Sequence, residues 1–228
     1  MCLILVKEKG VKLTDRFYDY ITKSWRSNND GGGFAQRKKN GASIFIKKGI
    51  ETPDEMINRL DKMKIAKEDE LIVHLRMCTH GSNTKDNTHP FIIKNEGEMI
   101  AEVGEKTLME ESFIKSIAFF HNGCISAFGS SKIPEEKLWS DTRLYAQYVL
   151  AQQAEIKGKK ITGAEILYNI KKEQYQTQDS FNKHLAPVMG GYQKFALLST
   201  QYGVLLIGDY YTDTLGFKHS NKSGIGYE

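Results

Sequence analysis

Four short stretches of this chain carry groups suited to acyl-transfer chemistry: Cys2 directly after Met1, "RMCTHG" at 76–81, "HNG" at 121–123 and "SD" at 140–141. The glycine-rich Asn28–Gly33 stretch is a fifth candidate. A thiol attacks as its thiolate, and a free pKa near ~8.5 leaves only a few per cent ionised at neutral pH. Once Met1 is removed, as a small second residue allows, the α-amine of Cys2 (pKa roughly 7.7–8.0) is a base on the nucleophile itself. The other reading of Cys2 is a small buried residue opening a strand. The Asn122 side-chain amide and the Gly123 backbone N–H are donors of the kind that stabilise a tetrahedral oxyanion. The same residues also spell an ordinary Asn-Gly turn. The Arg76 guanidinium fits a carboxylate bidentately and Asp141 suits an ammonium, so together they can hold the head group of an amino acid. A surface salt bridge and a helix N-terminal charge are their simpler roles.

Turns between strands must position these groups. "CLILVKE" reads as a buried strand, and 13–26 places Phe17, Tyr20, Ile21 and Trp25 at helical spacing. "SNNDGGGFAQ" (27–36) reads as an irregular break and "ASIFIKKG" as a strand. "ETPDEMINRLDKM" starts a helix with Thr52 as N-cap, Pro53 at the first position and Glu55 completing a capping box. "LIVHLRMCTHG" (71–81) and "SIAFFHNGCISAFG" (116–129) read as strands running into turns. A helix is expected over 140–155, another over "TGAEILYNIKKEQ", and a hairpin around Gln201–Tyr202–Gly203. Paired strands without strict βα alternation predict an α+β fold with antiparallel sheets, in one domain spanning 1–228. Residues 156–192 read as partly helical, with no assignable role.

The bulk numbers narrow the classes. With 32 basic and 28 acidic residues the net charge is +4, and the basic pieces "QRKKN" and "KGKK" are short and separate. No basic stripe is interleaved with aromatics, which argues against nucleic acid. Three cysteines without a CxxC fit a reducing compartment rather than a disulfide framework. "CLILV" is too short for a signal-peptide core, and no apolar run approaches the ~20 residues needed to span a bilayer. A soluble cytoplasmic protein is expected, in a host cytoplasm if phage-encoded. His74, Cys78, His80, His89, His121 and Cys124 raise the question of a metal. On one strand face, however, His74, Cys78 and His80 would share their site with Arg76, and the spacings match no zinc signature. No metal or cofactor is expected.

In order, "MC", "RMCTHG", "NTHP", "FHNGCI" and "SDT" resemble the glutaminase domain of class II glutamine amidotransferases, which are N-terminal-nucleophile (Ntn) hydrolases. The likeness covers about 2–155, with 156–228 supplying C-terminal helices and a hairpin that complete the fold. "NNDGGGF", "NTHPF" and "HSN" (219–221) resemble in particular the short, stand-alone, phage-type members. The resemblance implies a four-layer αββα sandwich of antiparallel sheets. It implies Cys2 as nucleophile, Asn122 and Gly123 as oxyanion hole, and Arg76, Thr79, His80 and Asp141 as the glutamine pocket. Arg76 would take the α-carboxylate and Asp141 the α-amine, and His89 would be structural or order the rim. The partners it implies are glutamine and a separate ammonia-accepting synthase, with no membrane. Leu3 stands where the family usually has glycine, and Arg143 where it usually has glutamate. Hydrolysis of another γ-glutamyl or amide bond, and a catalytically silent Ntn-fold binder, are the alternatives.

Overall fold

Alternate side chains of a strand face opposite ways, and β1 (Leu3–Lys7) is buried at every position because both of its faces are covered. In the computed structural model, which describes residues 2–41, 43–101, 115–128, 132–156, 158–172 and 193–222, the chain proceeds through α1 (Asp15–Trp25), β2 (Gly32–Arg37), β3 (Ile44–Ile50), α2 (Pro53–Lys62) and β4 (Glu70–Leu75). Then come β5 (Phe91–Lys94), β6 (Met99–Ile100), β7 (Ser116–Asn122), α3 (Asp141–Tyr145), β8 (Gln153–Ile156) and β9 (Lys159–Thr162). The remaining elements are α4 (Gly163–Lys172), β10 (Lys194–Ser199), β11 (Gly203–Ile207), β12 (Tyr211–Thr212) and β13 (Lys218–His219).

Among the described residues two large antiparallel sheets result, ordered β12-β13-β1-β4-β2-β3 and β11-β10-β7-β5-β6, beside a two-stranded β8-β9 sheet. Ile4, Val6, Ala35 and Ile72 of the first meet Ile92, Ala118, Phe120 and Leu198 of the second in one apolar layer. The opposite residues of the first sheet, Leu3, Leu5, Phe34 and Val73, pack on Phe17, Ile21 and Trp25 of α1 and on Met56 and Leu60 of α2. The outer face of the second sheet, through Phe91, Phe119 and Phe195, packs on Tyr145, Leu150 and Leu167 of the α3–α4 region. The stack is therefore helix, sheet, sheet, helix, the four-layer αββα order that the resemblance implied. The hairpin at 201–203 supplies β10 and β11, the edge of the second sheet.

Thr52 caps α2 as the sequence indicates, its hydroxyl accepting from Glu55 N at 3.2 Å. The Glu55 carboxylate turns to Arg59. Three readings change. The strand expected over 71–81 ends at Leu75, so Arg76 to Gly81 form a loop and no strand face gathers His74, Cys78 and His80. The helix expected over 140–155 is α3 followed by a π-helical turn, Ala146–Leu150, and Gln153–Ile156 instead pairs with β9, where ladder hydrogen bonds replace helical ones. Residues 173–192 of the stretch without an assigned role lie outside the described residues.

The third change concerns "NNDGGGF". Gly32 and Gly33 are not a break but the start of β2, which lies between β3 and β4. A Cβ on Gly33 would stand 2.1 Å from the His89 carbonyl oxygen and 2.7 Å from that of Lys47. Glycine here admits a neighbouring backbone that a side chain would displace. Gly33→Ala is expected to destabilise the fold by about 3 kcal/mol, the upper end for overpacking, measured by urea unfolding. A loss below about 1 kcal/mol would show that the contact relaxes freely.

Candidate active site

Cys2 precedes β1, whose pairing with β4 (Leu3↔Leu75) sets it beside the loop that follows β4. Its Sγ lies 3.3 Å from Met77 N and 3.4 Å from Met77 O. Burial pushes the Cys2 thiol above its ordinary pKa, opposed by the Met77 N–H and the charge of Arg76 and reinforced by Asp141. Leu3, at the position where glycine was expected, is fully buried in the helix-facing core.

Arg76 is buried and holds the loop together. Its guanidinium donates to Asn83 Oδ1 at 3.2 Å, to Cys78 Sγ at 3.2 Å and to the carbonyls of His80 and Ser82 at 3.3 and 3.1 Å. Asp30 grips the same loop from the glycine-rich side, accepting from Cys78 N at 2.8 Å and Asn83 Nδ2 at 2.9 Å. Asp30→Ala should therefore cost about 1.5–3 kcal/mol, the range for hydrogen bonds to a charged group. Thiol labelling of Cys2 should also change in rate, because Met77 is the next residue along. An unfolding curve and a labelling rate both matching the parent would sink that role.

The "HNG" turn ends β7. The Asn122 amide donates to Ser220 Oγ at 2.8 Å, and that hydroxyl also accepts from Ile4 N at 2.9 Å. Asn221 Nδ2 donates to the Cys2 carbonyl at 2.6 Å. Ser220 and Asn221, from the "HSN" stretch, thus tie β1 to the turn, a part the sequence reading gave them no role in. Gly123 has φ +150, and a Cβ there would meet Gln193 Oε1 at 2.1 Å. Gln193 donates to the Cys124 carbonyl, so its Oε1, 2.6 Å from His121 Nε2, is the acceptor of an Nε2–H. His121 Nδ1 then accepts from the Thr142 hydroxyl at 2.8 Å, which ties the turn to α3. Burial lowers the His121 pKa, consistent with this neutral tautomer.

Ser140 caps α3, accepting from Arg143 N at 3.1 Å. Asp141 is buried and accepts from Ile125 N at 2.6 Å and Thr142 N at 2.7 Å. Arg143 lies with its guanidinium 4.0 Å over the Trp139 ring. His80 Nδ1 is 3.3 Å from Thr79 Oγ1 and 3.6 Å from Cys124 Sγ. The Cys124 thiol is raised by burial and then by the negative charge of Asp141 and a hydrogen bond to it. His89 is buried against His74, ring centroids 3.9 Å apart, and edge-on to Phe91.

The predicted site residues are therefore gathered from four separate segments. Arg76 and Asp141 act electrostatically on the Cys2 thiol, and His80 reaches across to Cys124. Asn122 faces Ser220, and His89 sits in the interior.

No known family profile matches the chain, and no curated protein does. Among solved structures it is similar to glutamine phosphoribosylpyrophosphate (PRPP) amidotransferase from B. subtilis complexed with ADP and GMP, with TM-score 0.48 and 14% identity. That match covers 96% of this chain and 42% of the other, so this chain spans less than half of that protein's length.

Proposed function

We propose that this protein is a cysteine-dependent amide hydrolase that releases ammonia from glutamine. The observation that carries this reading is the setting of the Cys2 thiol on the Met77 backbone, in the field of the buried Arg76 and Asp141, with the Asn122 turn joined to the strand after Cys2 through Ser220. In the proposed reaction Cys2, freed of Met1, attacks the side-chain carboxamide through its thiolate, with its own amine as base. The oxyanion is held by the Gly123 N–H and the Asn122 amide; the latter would turn one N–H from Ser220 or use its second. The amine passes a proton to the departing ammonia, leaving a γ-glutamyl thioester that water cleaves to glutamate. Arg76 and Asp141 would hold the α-carboxylate and α-amine, with Thr79 and His80 shaping the pocket. Because Arg76 is engaged with its own loop, substrate must replace some of those bonds, so binding and loop rearrangement would be coupled. We propose a single domain, with ammonia passed to a separate synthase and no cofactor needed for hydrolysis.

Intact mass and an ammonia assay test this. Protein expressed in a bacterial cytoplasm should lack Met1 and should release ammonia from glutamine. Retained methionine would remove the amine base and overturn the mechanism. Arg76→Ala should raise the KM for glutamine at least tenfold, the value of roughly 1.4 kcal/mol; an unchanged KM would dismiss the carboxylate clamp.

A further inference from the structure

Among the described residues, one cluster apart from the nucleophile joins three different metal-binding groups. His80 on the loop after β4, Cys124 after β7 and Asp141 at the start of α3 place their ligand atoms within 4.8 Å of one another. We propose that His80, Cys124 and Asp141 form a site for a thiophilic divalent cation, Zn2+ by class, whose occupancy blocks the amine-binding carboxylate of the proposed glutamine pocket.

The donor set selects the ion. A thiolate and an imidazole suit Zn2+ and disfavour Mg2+ and Ca2+, which take oxygen ligands. Zn–S near 2.3 Å and Zn–N and Zn–O near 2.0–2.2 Å put ligand atoms of a tetrahedral site roughly 3.3–3.8 Å apart. Cys124 Sγ lies 3.6 Å from His80 Nδ1 and 3.7 Å from His80 Nε2. The sulfur is thus almost equidistant from the two nitrogens, and rotation of the half-buried ring presents either. Cys124 is exposed and His80 half-buried, so both can move to close the cluster's 4.8 Å spread by the ångström or so that coordination requires. Asp141 is the fixed member: the Ile125 and Thr142 N–H groups hold one oxygen each. The Thr142 hydroxyl also lies 3.2 Å from Oδ1, so Oδ2 keeps the further lone pair for an ion, and such outer hydrogen bonds orient ligating carboxylates.

Charge agrees as well. One thiolate and one carboxylate neutralise a divalent ion. Arg76, the nearest objection to a metal here, spends its bonds on Asn83, Cys78 and two loop carbonyls and on none of the three donor atoms. Three protein ligands leave a fourth position open to water, the arrangement of a reversible site rather than a closed structural one. An ion there occupies the Asp141 oxygen that a substrate ammonium would need. The spacings of 44 and 17 residues explain why no sequence signature announced the cluster.

The blocking role rests on the proposed glutamine reading; the cation site does not, and two readouts keep them apart. Full-length protein stripped by chelator is titrated with Co2+ alone, a spectroscopic stand-in for Zn2+. One equivalent should produce a thiolate-to-cobalt charge-transfer band in the near ultraviolet. The band should persist in Cys2→Ala and Cys78→Ser and vanish in Cys124→Ser, whose exposed side chain leaves folding intact by circular dichroism. His80→Ala should weaken binding at least tenfold, since losing an outer partner alone costs roughly that much. No band, a band kept by Cys124→Ser, or one lost only with Cys2→Ala overturns the site. In the second readout, Zn2+ should raise the KM for glutamine in the parent and leave Cys124→Ser unaffected at equal basal activity. A zinc-insensitive KM beside an intact cobalt band overturns the block. If no sample hydrolyses glutamine, the proposed function fails and the cobalt band still decides the site.

Discussion

Replacing Cys2 by alanine should lower glutamine hydrolysis by at least about 10^4-fold, the scale on which loss of a covalent nucleophile is felt. A glutamine-mimicking diazoketone should label the parent once, at Cys2, and the Cys2→Ala protein not at all. The fold should tolerate the change, because among the described residues the thiol's hydrogen bonds go to the Met77 backbone, and the bond that ties this residue to the C-terminal part is made by its carbonyl to Asn221. Loss of activity without loss of stability therefore separates chemistry from scaffolding. The pH profile gives an independent check. Burial raises the thiol's pKa, so the thiolate fraction, and with it kcat/KM, should climb between pH 7 and 9. A diazoketone adduct on Cys78 or Cys124 would mean that another of the three thiols is the nucleophile.

Stability should collapse on mild acidification. His74 and His89 lie buried against each other, and burial drives His74 down to about 3 and His89 well below its ordinary value. His74 donates through Nε2 to the His121 carbonyl at 3.1 Å, and neither ring nitrogen of His89 meets a partner among the described residues. Burial comes first, and the neighbours that act on His89, the Lys48 and Arg76 cations and any proton on His74 or His121, all disfavour a proton there. The folded state thus keeps both rings neutral while the unfolded chain protonates them near pH ~6.5. The unfolded state binds more protons, so stability rises with pH, and it falls as pH drops from ~6.5 towards 3. Each ring contributes a slope of about 1.4 kcal/mol per pH unit, so two units below ~6.5 cost on the order of 5 kcal/mol, comparable with the whole stability of a small domain. Urea unfolding between pH 7.5 and 4.5 measures this. His89→Leu, which keeps an apolar body against Phe91, should take about 1.4 kcal/mol per pH unit off the slope; an unchanged slope would assign the acid sensitivity elsewhere.

The sequence carried the elements whose signal is local. Thr52–Pro53 and the apolar spacing of Phe17, Tyr20, Ile21 and Trp25 are properties of neighbouring residues, and they marked α2 and α1 correctly. What it could not carry is long-range. Gly32–Gly33 reads as a turn unless one knows that the His89 backbone approaches from another segment. Likewise "AQYVLAQQAE" reads as one helix until β9 offers Gln153–Ile156 a partner strand. For the site, the motifs named residues but not their companions. Ser220, Asn221, Asp30 and Gln193 are ordinary polar residues in sequence, and their work appears only when β13, the glycine-rich strand and the end of β7 meet. One signal was available: "HSN" had already stood out among the residues of the C-terminal part.

The clasp between Asn221 and Cys2 spans 219 residues, and that between Ser220 and Ile4 spans 216. A chain growing at roughly 5–20 residues per second needs on the order of ten to forty seconds to make the second half of this clasp after the first. During that interval β1 can pair with β4, but the Cys2 carbonyl still lacks its Asn221 partner, so the end from which Met1 is proposed to be trimmed is held less tightly. Only when residues 220 and 221 have left the ribosome can the end be tied down. Translation itself would thus order the two events, trimming first and locking second, with no separate timing device.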